Sequence, residues 1–65
     1  MTDPEEMISW MDRRIASLET WLADHGRRSK LHRPLHEIEM KEYDLARFHE
    51  LRVAYVRALE RRQSA

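Results

Sequence analysis

Three residues punctuate this 65-residue chain: Pro4, Gly26 and Pro34 are its only two prolines and its single glycine. Between them run two stretches free of backbone breakers, each long enough for a helix. Asp3 sits where a side-chain cap belongs, Pro4 suits the first helical position, and Glu6 follows three residues after the cap as in a capping box. Glu5 and Glu6 also complement the positive end of a helix dipole. Gly26, preceded by His25, stands where a left-handed residue closes a helix. Pro34 disfavours helix at Arg33 and favours a new start. The chain therefore reads as one domain, residues 1–65. A first helix covers about 4–25, a basic connection 26–33, and a second helix about 34–62.

The apolar residues say how the helices pack. Ile8, Met11, Ile15, Leu18 and Leu22, with His25 next, alternate steps of three and four, the seam of coiled-coil-like packing. The second helix offers a weaker seam of Leu35, Ile38, Glu42, Leu45, His49, Arg52, Val56 and Leu59, flanked by Phe48 and Tyr55. Trp10 and Trp21, eleven residues apart, share a side of the first helix about 100° off its seam. Met7 lies beside them, and Met40, Tyr43, Leu51, Ala54 and Ala58 form an extra stripe on the second helix. Helices apolar around so much of their circumference need neighbours on more than one side. The expectation is an all-α hairpin of two long antiparallel helices, dimerising into a four-helix bundle. Its dimer or partner interface would comprise Trp10, Trp21, Met7, Met40, Tyr43, Leu51 and Tyr55. The longer second helix should overhang the first at its C-terminal end.

Size supports the same expectation. Short chains bury a small fraction of their surface and lean on disulfides, metals or oligomerisation. With no cysteine, disulfides and thiolate zinc sites are excluded. Twelve basic and twelve acidic residues cancel, unlike the basic excess of a general nucleic-acid binder. Charge is nonetheless uneven: residues 1–26 carry a net of −4, and residues 27–34 a net of +4. Arg27, Arg28, Lys30 and Arg33 are accordingly the candidate nucleic-acid contacts. The sequence begins with acidic residues and has no apolar run of membrane-spanning length, so a cytoplasmic protein is expected.

Catalytic chemistry finds little footing. His25, His32 and His36 flank the connection, and His32 and His36 are four apart, but Pro34 interrupts them and no His-Glu-x-x-His pattern is present. His49 on the second helix lacks an evident pocket and reads as a helix residue bonded to a carboxylate across the bundle. Ser9, Ser17 and Ser29 lack the partners of an activated nucleophile. One glycine cannot make a phosphate loop. No catalytic residue, cofactor or metal ligand is expected. Glu37 with Lys41, and Asp44 with Arg47, read as pairs on a solvated face.

The stretch RPLHEIEMKEYDLARFHELRVAY, residues 33–55, resembles short helical proteins encoded by actinobacterial phages. That resemblance implies binding to host proteins. The hairpin plan is also similar to that of the plasmid copy-number regulator Rop, a dimeric four-helix bundle that binds RNA. This second likeness is one of architecture, which does not carry function. The leading expectation is a non-enzymatic protein-interaction module acting as a homodimer on a protein target. The alternative is a small RNA- or DNA-binding dimer using residues 27–33.

Overall fold

The structure is a computed structural model and describes residues 2–64. Two antiparallel helices, α1 (Pro4–His25) and α2 (Leu35–Ser64), make a hairpin, with no strand among the described residues. Asp3 starts α1 by accepting a hydrogen bond on its side chain from the Glu5 amide at 3.3 Å. The reciprocal half of a capping box is missing among the described residues, and Glu6 contributes charge alone.

Pro34 starts α2 differently from expectation. It stays outside the helix, and its carbonyl accepts from the amides of Glu37 and Ile38 at 3.0 and 3.2 Å. Gly26 corrects the sequence reading too. It lies in extended backbone, φ −79° and ψ −170°, rather than the left-handed region. Its glycine requirement is steric: a Cβ would drive into the Leu22 carbonyl, the same oxygen that accepts the Gly26 amide at 2.8 Å. The connection then folds around Ser29. Its hydroxyl donates to the Asp24 carbonyl at 2.6 Å and accepts the Leu31 amide at 3.1 Å. The Arg33 amide closes the link on the His25 carbonyl at 2.9 Å.

Met11, Ile15 and Leu18 of α1 and Ile38 of α2 form the buried core. Ile8 and Leu22 are half-buried at its edges. On α2 the packed line runs Ile38, Leu45, Phe48, Arg52, Val56 and Leu59, the last five half-buried. Leu35 and His49, expected in this seam, are exposed. Phe48 and His49 are neighbours around the helix, and the phenyl ring wins the inward place because its burial removes more apolar surface from water. Asp12 meets Arg52 at 2.5 Å. Twelve residues of α2 follow Arg52 whereas eight of α1 precede Asp12, so α2 overhangs by about one turn.

The result is a plate measuring 50 × 19 × 15 Å with a radius of gyration of 14.7 Å. A compact chain of this length would have a radius of about 11 Å. Two helices side by side make one layer, and a stable domain core is ordinarily closed between two.

Candidate interaction face

Trp10, Trp21, Met40, Leu51 and Tyr55 lie towards one side of the plate, while Leu35 and Val53, also exposed, fall on the His49 side by helical spacing. Trp10 is 46% exposed, and its ring leans on Phe48 of α2, with centroids 5.6 Å apart at 60°. Leu51 and Tyr55, three and seven residues after Phe48, are also exposed and lie on the same side by helical spacing. Towards the connection, Trp21 stacks at 57° on His25, with centroids 5.6 Å apart, while the Lys41 ammonium stands 5.5 Å above its indole. Met40, 64% exposed, lines the groove beside Trp21 in this half, whereas Tyr43, also expected here, lies five residues before Phe48 and so about 140° from it around α2. Met7 is half-buried beside Trp10.

Both tryptophans thus share one side, as their spacing predicts, but neither points clear of α2. Each rests on an α2 side chain. Phe48 and Lys41 belong to this face and were not picked out for it. Their signal was available, since Phe48 flanks the seam one turn from the Leu51 stripe. Between the two apolar halves lies Arg47. Its guanidinium carbon sits 4.4 Å from the Tyr43 centroid, and it donates to the Tyr43 hydroxyl. Asp44 has no ion pair among the described residues, and the Asp44–Arg47 pair read from the sequence is replaced by this cation–π contact.

Two open grooves border the face. One runs along the start of α1 between Asp3, Glu6, Met7, Trp10 and Arg13. The other lies between the helices, against Trp21, His25, Arg33, His36, Met40 and Lys41. In it, His25 Nδ1 is covered and has no hydrogen-bond partner among the described residues.

The basic connection is less free than its composition implies. Arg27 donates from Nε and Nη2 to Glu42, each at 3.0 Å, and Arg33 grips Glu37 at 2.8 and 3.2 Å. These hydrogen bonds hold both carboxyls below their ordinary range and raise both guanidinium groups. Glu37 therefore pairs with Arg33 rather than Lys41. Of the four candidate phosphate contacts, only Arg28 and Lys30 lack an ion pair among the described residues. A connection offering two cations without ion pairs among the described residues is a weak electrostatic footprint for a nucleic acid.

The remaining histidines are dispersed. His49 Nε2 lies 3.9 Å from Glu19 across the hairpin, on the side opposite the tryptophans. His32 Nδ1 is 3.3 Å from the Arg33 carbonyl. Among the described residues no three His, Cys, Asp or Glu side chains are grouped to hold a metal ion. Nor, among the described residues, is any helix long and apolar enough to cross a membrane. No protein-family model, curated protein or solved structure matches the chain.

Proposed function

We propose that this chain is a non-enzymatic protein–protein interaction module of the cytoplasm, acting as a homodimer whose Trp10 face is covered by a second copy. The supporting observation is one of area. Folded monomers of 7.9 kDa expose about 4400 Å² by the usual scaling with mass, whereas this hairpin exposes 5420 Å². The excess of about 1000 Å² resembles the roughly 800 Å² that each partner contributes to a standard interface. Trp10 and Tyr55 supply aromatic anchors of the kind such interfaces favour, with Met40 and Leu51 exposed beside them. The likeness of residues 33–55 to phage-encoded helical proteins points to a host protein as the further target of the assembled bundle.

Sedimentation at micromolar concentration tests this reading. The native chain should sediment as a dimer. Met40→Glu with Leu51→Glu should sediment at half that mass, because charge is placed on the face without touching the buried core. A native chain that is a stable, helical monomer overturns the proposal.

A further inference from the structure

The exposed anchors are spaced symmetrically along the plate. The midpoint of Trp10 and Trp21 falls between Ile15 and Ala16, within about one residue of the middle of α1. On α2, Met40 and Tyr55 are centred between Arg47 and Phe48. The cross-helix contacts bring these two midpoints to one level. Along the tryptophan side, Trp21 meets Lys41 and Trp10 meets Phe48. Along the other side, Glu19 meets His49 and Asp12 meets Arg52. Averaging the two, the level of residues 15–16 on α1 corresponds to about residue 47 on α2.

We infer that the second copy lies on this face with its long axis reversed, α1 on α1 and α2 on α2, about a two-fold axis at the level of Arg47. This rests on the homodimer reading above and assigns its geometry. A two-fold interface requires a patch complementary to itself. About this axis Trp10 faces Trp21 of the second copy and Met40 faces Tyr55, each twice.

The charges favour the reversal. Arg47 comes within about 5 Å, measured along the axis, of the level of Asp44 in the second copy, which a guanidinium can span. Neither residue has an ion pair in its own chain among the described residues. At the ends, Asp3, Glu5 and Glu6 come level with the connection of the second copy, where Arg28 and Lys30 lie; none of these five has an ion pair in its own chain among the described residues. Packing in the same direction would instead crowd four unpaired cations at one end.

The chain has no cysteine, so single-cysteine variants report distance cleanly. Arg47→Cys and Arg28→Cys are each treated with a short bis-maleimide after sedimentation establishes the mass. Arg47→Cys should give a linked dimer as its major product. Arg28→Cys should stay unlinked, since reversal separates the two copies of that residue by about 40 Å. Linking at position 28, or a dimer linked at neither position, overturns the reversed geometry while leaving the dimer intact. A monomer in sedimentation overturns both.

Discussion

Trp10 of α1 rests its indole on the Phe48 ring of α2, with centroids 5.6 Å apart. Tilted aromatic pairs at this separation contribute about 0.5–1.5 kcal/mol beyond the area they bury. A double-mutant cycle of Trp10→Leu and Phe48→Leu should return a coupling in that range by urea unfolding. Additive losses would show that the rings touch without supporting each other.

Met11 is the most completely buried side chain, 1% exposed. Its truncation to alanine should cost about 2–5 kcal/mol, a large part of the stability a chain this small can have. Circular dichroism of Met11→Ala should show a chain largely unfolded at room temperature. Native-like cooperative melting would mean the core closes over the void.

Gly26→Ala tests why a glycine ends α1. Its φ is open to any residue, so the penalty comes from the Cβ against the Leu22 carbonyl. The backbone must shift and loosen the Gly26 amide bond, and the variant should lose about 1 kcal/mol or more in chemical denaturation. Equal or greater stability would remove the steric account.

Acid should act through Glu37 and Glu42. Both are held below their ordinary value of 4.5 by hydrogen bonds from Arg33 and Arg27. Their stabilisation is therefore present above pH 4.5 and is lost as pH falls through the lower folded values. Glu42→Gln should melt below the native chain at neutral pH and together with it in strong acid. A gap between them that ignores pH would show that the Arg27 pair contributes nothing.

Much of the hairpin is legible because its signals are local. Asp3 and Pro4 mark one end of α1, Gly26 the other, and the steps between Met11, Ile15 and Leu18 name its inward stripe. What is decided between helices was harder to read. Whether Phe48 or His49 turns inward depends on Trp10, which lies 38 residues earlier in the chain and meets Phe48 only across the hairpin. Glu37 chooses Arg33 over Lys41 because Lys41 is drawn to the Trp21 ring. Ser29 gives no sign of its place until the connection folds around its hydroxyl. The stripe of Met40, Tyr43, Leu51, Ala54 and Ala58 follows from helical spacing alone, but the engagement of Arg27 does not, since Glu42 reaches it only across the hairpin.

The buried side chains are gathered towards the connection and the middle of the plate, and the last turn of α2 extends past α1 altogether. Protection of backbone amides from hydrogen exchange should follow that gradient. Amides around Leu18 and Ile38 should exchange only when the whole molecule opens. Those after Leu59, with no α1 facing the last turn, should exchange through local fraying. The hairpin should then come apart from its open end, with the segment around Ser29 holding the two helices together longest.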